Sequence, residues 1–258
     1  MPTVILSPHL DDAVLSCWHL LTQPGEVTVI NVFAGIPDRL AEPAWWDQYT
    51  GAMDSGARVR ERVEEDRQAL ALAGRSAANL SLLNEQYRQT EPPLAELTAQ
   101  IDQLLARDAD IYAPAAFANH ADHTLVREAA LELRANGFAV SLYADLPHAT
   151  LYGWPAWVTG GHASTSRDLA AVTWERSLAA TAIGPQEMSP LVHALDSAAR
   201  ASKLEAVRAY RTQLQGLVEL AGRPLTDRKA LGYEVEWTLP AVATASRAAA
   251  DQRAARRR

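Results

Sequence analysis

Short apolar runs alternate with amphipathic stretches along the first 145 residues. Thr3-Val4-Ile5-Leu6-Ser7 is apolar and β-branched, the pattern of a strand buried on both faces. Helical spacing follows from Asp12 to about Thr22, with Val14, Leu15, Trp18 and Leu21 on one side, until Pro24-Gly25 breaks the chain. Val27 to Phe33 is a second apolar strand, so the opening forms a βαβ unit with parallel strands and a right-handed crossover. A long insert from Gly35 to Gly56 carries Trp45, Trp46 and Tyr49. The spacing then predicts a helix over Arg58–Ala73 stopped by Gly74, and a third strand over Asn79–Leu83. A helix from Pro92-Pro93 to Leu105, a strand over Asp110–Ala113, a helix around Leu125–Leu133 and a strand over Phe138–Tyr143 continue the alternation. Further on, Val172-Thr173-Trp174 reads as an extra strand, Ser197–Leu220 as one long helix, and Gly232–Leu239 as a strand of alternating polarity. The fold class is α/β.

Length and composition narrow this picture. The 258 residues are 48% hydrophobic and 21% charged, ordinary for a globular chain with a sizeable core. A single α/β domain over residues 1–245 is expected, followed by an Ala/Arg-rich tail, 246–258, expected to be disordered. A net charge of −7 argues against nucleic acid as partner, since the basic residues Arg253, Arg256, Arg257 and Arg258 sit in that tail. The lone Cys17 permits no internal disulfide and is expected as a small buried residue. No apolar stretch reaches 18 residues, and Asp11 and Asp12 interrupt the N-terminal one, so neither a membrane span nor a signal peptide is expected; the expected location is the cytoplasm. Oligomeric state is not legible.

Candidate chemistry concentrates in two places. His9-Leu10-Asp11-Asp12 and His120-Ala121-Asp122-His123 each follow a strand and precede a helix, on the edge of an α/β sheet where ligands gather. His9 and Asp12, three apart, project from one side of a first helical turn, and with His123 they make two histidines and a carboxylate. Such a set suits Zn2+, and also Fe2+ or Mn2+. Asp11 is then free to take a proton from water, and His120, with Asp122 as its carboxylate partner, suits a general acid or oxyanion stabiliser. Capping of the following helix would explain the acidic pair alone. His19, His162 and His193 read as structural or surface residues, whereas His148 follows a strand on the presumed active edge. Trp45 and Trp46 in the Gly35–Gly56 insert, and Trp154 and Trp157 in the Pro-, Gly- and Trp-rich stretch Asp145–Gly161, suit either a lid over a ligand or anchoring of these loops on the core.

These two motifs resemble the pair that marks the LmbE-like (PIG-L) family of zinc-dependent N-acetylglucosaminyl deacetylases. Similar too are the Arg62-Val63-Glu64-Glu65 helix, Leu82 to Arg88, Tyr143-Ala144-Asp145-Leu146-Pro147, and a late helix with Lys203, Tyr210 and Gln213, so the likeness runs from residue 3 to about 216. The resemblance implies a three-layer α/β/α sandwich with a mostly parallel, Rossmann-like sheet. It implies hydrolysis of an N-acyl group from an amino sugar or glycosylated small molecule, a linear amide. It assigns zinc to His9, Asp12 and His123, the base to Asp11, the helper pair to His120 and Asp122, and substrate contact to Arg62. Substrate-binding candidates are Arg62, Asn84, Trp45, Trp46 and His148. The chain departs from the family with Leu10 and Ala13 around the acidic pair, Asn84 where Asp is common, and Ala118 where some members place tyrosine. A non-sugar amide is the alternative substrate. A receiver domain lacks its acidic residue at Leu82-Leu83-Asn84, and a nucleotide-binding protein would need a glycine-rich loop after the first strand.

Overall fold

The structure, a computed structural model, describes residues 1–38, 42–161, 168–181, 183–184, 187–222 and 224–242. Its first half runs β1 (Thr3–Ser7), α1 (Asp12–Ser16), α2 (Trp18–Leu21), β2 (Val27–Asn31), α3 (Trp45–Tyr49), α4 (Ser55–Ala71), β3 (Ala77–Asn79), α5 (Leu94–Asp102) and β4 (Asp110–Pro114). The second runs α6 (Ala121–Ala135), β5 (Ala139–Tyr143), α7 (Ala156–Thr159), α8 (Leu169–Ala179), β6 (Ser189–Ala194), α9 (Ser197–Val207), α10 (Leu214–Ala221), α11 (Arg228–Leu231) and β7 (Tyr233–Thr238). His162 and the 246–258 tail lie outside the described residues.

Seven strands form one sheet in the order β3-β2-β1-β4-β5-β7-β6. The first five are parallel, and β7 and β6 close that edge antiparallel. Helices α1, α4 and α9 pack together, and α5 lies on α6, which covers β4 and β5, so the sheet is the middle of three layers. The apolar strands explain this: Ile5, Leu6, Val29, Ile30 and Leu142 are fully buried, each worth roughly 1.5–3 kcal/mol against exposure. Cys17 is buried and free. No helix among the described residues is long and apolar enough to cross a membrane.

Several elements differ from the sequence pattern. Val172-Thr173-Trp174 lies within α8, where Asp168 caps the helix by accepting from the Ala171 N–H and Trp174 turns into the core. The third strand comes earlier, at Ala77–Asn79, and Ser81 keeps only an isolated bridge to Phe33. The long C-terminal helix breaks between α9 and α10, because Tyr210 donates to Asp66 and Thr212 to Glu65, drawing the chain down onto α4. The first helix likewise splits at Cys17, where Glu234 accepts from the backbone N–H groups of Trp18 and His19. Edge strand β6, with Pro190 and mostly exposed residues, carries too little apolar pattern to stand out.

Candidate metal centre and active site

Because β1 and β4 are hydrogen-bonded neighbours, with Ile5 opposite Tyr112, the loops leaving their carboxyl ends meet. This is where strand order reverses, the crevice in which open α/β sheets hold ligands. The β1 loop is tied to itself. Ser7 Oγ donates to the His9 carbonyl at 2.6 Å and accepts from the Ala13 N–H at 3.1 Å, while Asp12 Oδ2 accepts from the His9 N–H at 2.9 Å. Asp11 occupies the N-cap position of α1 but its side chain makes no capping bond, so helix capping does not account for it. On the β4 side, Ala116, Ala118 and Asn119 adopt left-handed φ values of 61°, 62° and 56° before His120 starts α6. Conformations of that kind cost a non-glycine residue about 1–2 kcal/mol each and concentrate at functional sites.

The convergence centres on Asp12. Its Oδ2 lies 3.4 Å from both His9 Nδ1 and His123 Nε2. Each histidine is held from behind by a buried carboxylate, His9 Nε2 by Asp122 and His123 Nδ1 by Asp145, both at 2.9 Å. His123 Nε2 is buried and has no hydrogen-bond partner. With an imidazole nitrogen 3.4 Å from Asp12 Oδ2 on either side, the set has the chemistry to hold one cation, and carboxylates behind the imidazoles are the usual support of such a site. His120 forms with His9 and His123 a second possible donor group, whose ligand atoms lie within 4.8 Å of one another. The two sets share His9 and His123, the imidazoles held from behind by buried carboxylates.

Burial and charge set the protonation tendencies. Burial opposes charge on Asp12, but His123 and His9 outweigh it and hold the carboxyl below its ordinary range. Burial pushes the Asp11 carboxyl up, opposed by Arg62, whose Nη2 is 3.7 Å from Asp11 Oδ2. Burial and the neighbouring His9 and His123 depress His120 to about 2, and burial with His123 depresses His148 to about 4, so both rings are neutral near pH 7.

A cavity of about 290 Å³ opens above this floor. His9, Asp11, Asp12 and His120 line it, and so do all five substrate-binding candidates, Arg62, Asn84, Trp45, Trp46 and His148. The Asn84 carboxamide is also engaged locally, accepting from the Gln86 N–H. One pairing differs from expectation. Asp122 does not partner His120; it holds His9, accepts from the Glu85 N–H and pairs with Arg88 at 2.5 Å. His120 Nε2 instead faces Glu85 Oε1 at 3.5 Å. Asp145, Arg88 and Glu85 lie in stretches that resemble the family, but the sequence assigns them no role. Asp145 carried the best signal, a carboxylate just past the next strand of the same sheet edge. His193 is part-buried and stacks on His19 at 3.7 Å, away from the cavity lining.

Fold and site together define an α/β protein with a candidate metal centre at the switch point of its sheet. The chain belongs to the PIG-L family, described as GlcNAc-PI de-N-acetylase, which it matches over residues 4–134. It is 27% identical to a 2'-N-acetylparomamine deacetylase of Niallia circulans over 183 residues, 56% of this chain and 66% of that protein. The enzyme of the same description from Streptomyces fradiae is 30% identical over 172 residues, 57% of each. The chain thus spans less than two thirds of either relative. A crystal structure of the A40926 pseudoaglycone deacetylase superposes with a TM-score of 0.68 at 26% identity, covering 94% of this chain and 98% of that one.

Proposed function

We propose that this chain is a divalent-metal-dependent hydrolase that removes the N-acetyl group from an amino sugar of a small glycosylated metabolite. The convergence of His9, Asp12 and His123 beside the buried carboxylate of Asp11 carries this reading. The named activities of the relatives support the substrate class. His9, Asp12 and His123 would hold the cation, zinc being the ion that two imidazoles and a carboxylate suit best. When bound, it supplies a Lewis acid and lowers the pKa of water at the site.

The protein's own groups do the rest. Asp11 accepts the proton of the attacking water as the new C–O bond forms at the amide carbon, and returns it to the nitrogen as the C–N bond breaks. Acetate and a free amine leave. Burial raises the proton affinity of Asp11, which suits a carboxyl that must hold a proton between two steps. His120, at the cavity wall, is placed to donate a hydrogen bond to the oxyanion or a proton to the leaving nitrogen. Arg62 keeps Asp11 oriented.

Asp11→Asn is expected to keep its metal, measured by elemental analysis, while acetate release from an N-acetylglucosaminide falls by about 10²–10⁴-fold. His123→Ala is expected to lose both. Full turnover by Asp11→Asn, or by wild type stripped with a chelator, would overturn the assignment.

A further inference from the structure

Trp46 reaches the cavity from α3, in the insert, and two features of the segment 213–216 hold it there. Its indole Nε1 donates to Gln213 Oε1 at 2.7 Å, and Gln213 Nε2 donates to Thr212 Oγ1 at 3.0 Å. Thr212 is in turn bound to the buried Glu65 of α4, through its N–H at 3.0 Å and its hydroxyl at 2.7 Å. One turn further, the ring lies against Gly216, where a Cβ would stand 2.4 and 2.5 Å from two of its carbons. Gly216 lies inside α10, a place where glycine costs about 1 kcal/mol relative to alanine, and its φ is not in the left-handed region. The close approach of the indole is what this glycine permits. Gln213 and Leu217, on either side of it, both line the cavity.

We propose that Gly216 and Gln213 are positioning residues that lock Trp46 as the specificity-determining wall of the pocket, the surface against which the C–H face of the sugar ring lies. The cavity lining combines the polar His9, Asp11 and Asp12 with the apolar Leu15, Trp46 and Leu217. An N-acetylated pyranose has the same division, an amide at one edge and an apolar ring face. The two indoles divide the work. Trp46 is fixed, and Trp45, 69% exposed and edge-on to it at 5.4 Å, forms the rim. The proposal rests on the deacetylase reading for its ligand, but not for the lock itself.

The test is a double-mutant cycle between Gly216→Ala and Trp46→Ala, read in KM and kcat for an N-acetylglucosaminide. Gly216→Ala alone is expected to raise KM about tenfold with kcat changed less than about threefold, the mark of lost binding rather than lost chemistry. In the Trp46→Ala background the same change is expected to add nothing, because the clash has gone. Gln213→Leu is expected to raise KM, and Gln213→Glu, which keeps the acceptor, to restore most of it. A Gly216→Ala effect of equal size in both backgrounds, or an unchanged KM, would overturn the lock. Acrylamide quenching of the fluorescence difference between wild type and Trp46→Phe follows the ring without any substrate. It is expected to strengthen about twofold in Gly216→Ala and Gln213→Leu as the ring is freed. Should wild type release no acetate, the deacetylase reading fails and this quenching alone decides the lock: no change in either variant would refute it.

Discussion

Two carboxylates that never reach the cavity, Asp122 and Asp145, decide which nitrogens of His9 and His123 face Asp12. Each is fully buried, and Asp145 also accepts from the Phe117 N–H with both oxygens, at 3.0 and 3.1 Å. It therefore couples the imidazole to the strained loop before His120. Asp145→Ala is expected to weaken zinc about 10–100-fold, measured by competition with a chromophoric chelator, since the ring loses its fixed tautomer and orientation. Arg88→Ala should act one step further out. Asp122 would lose its cation while keeping His9, so metal affinity should fall by less than about tenfold. An Asp145→Ala protein that binds zinc like wild type would show that Asp145 only ties down the loop. His9, Asp12 and His123 stand out in the sequence by residue type, but only the pairing of β1 with β4 brings His123 to the other two. Asp122 was misassigned because sequence proximity pointed to His120, whereas the first turn of α6 aims its side chain across to His9.

Between elements, Glu234 of β7 organises the other flank of the first helix. It accepts from the N–H groups of Trp18 and His19, from His19 Nδ1 at 2.6 Å and from Lys203 Nζ at 2.5 Å. Glu236 meets His19 Nε2 at 3.1 Å. Two carboxylates against Lys203 and a protonated His19 balance charge. Burial lowers the tendency of His19 to protonate, but the two glutamates outweigh it and raise its pKa to about 9. Burial pushes both glutamates up, and the facing cations, Lys203 and His19 on Glu234 and chiefly His19 on Glu236, bring each to about 2. The sign follows: the His19 share of stability is complete below its ordinary pKa of 6.5 and lost as pH rises through about 9. The glutamate share is complete above 4.5 and lost as pH falls through about 2. His19→Gln should thus destabilise the fold by roughly 1–3 kcal/mol at pH 6 in urea unfolding, with the deficit shrinking toward pH 10. A deficit independent of pH would assign His19 to packing alone. None of this was legible locally. The alternation of Tyr233–Thr238 reads as a half-exposed strand, yet Glu234, Val235, Glu236 and Trp237 are all buried, because α2 and α9 supply partners from far away in sequence. The split of the Ser197–Leu220 helix was hidden for the same reason, its cause being Glu65 and Asp66 on α4.

The whole molecule is arranged so that one crossover of strand order carries the site. Four of the five parallel strands and both motifs could be read from the chain, and the third strand only at its Asn79 end, since apolar runs bounded by helices leave few other topologies. Adjacency of β1 and β4 could not, and it is what turns two separate acidic loops into one centre. That adjacency has a thermodynamic consequence. His9, Asp12 and His123 are all under 9% exposed, and His123 Nε2 is buried without a hydrogen-bond partner, an arrangement that a bound cation would stabilise. A cation that binds only when β1 and β4 are paired therefore stabilises the entire sheet. At a free zinc concentration one hundred times its dissociation constant, the gain is about 2.7 kcal/mol. For a chain of this size that raises the thermal midpoint by about 5–10 °C. Calorimetry of chelator-stripped protein with and without zinc should show this rise. It should vanish in His123→Ala and survive in Asp11→Asn, because Asp11 lies beside the donor set and outside it. A rise of equal size in His123→Ala would place the stabilising ion elsewhere on the molecule.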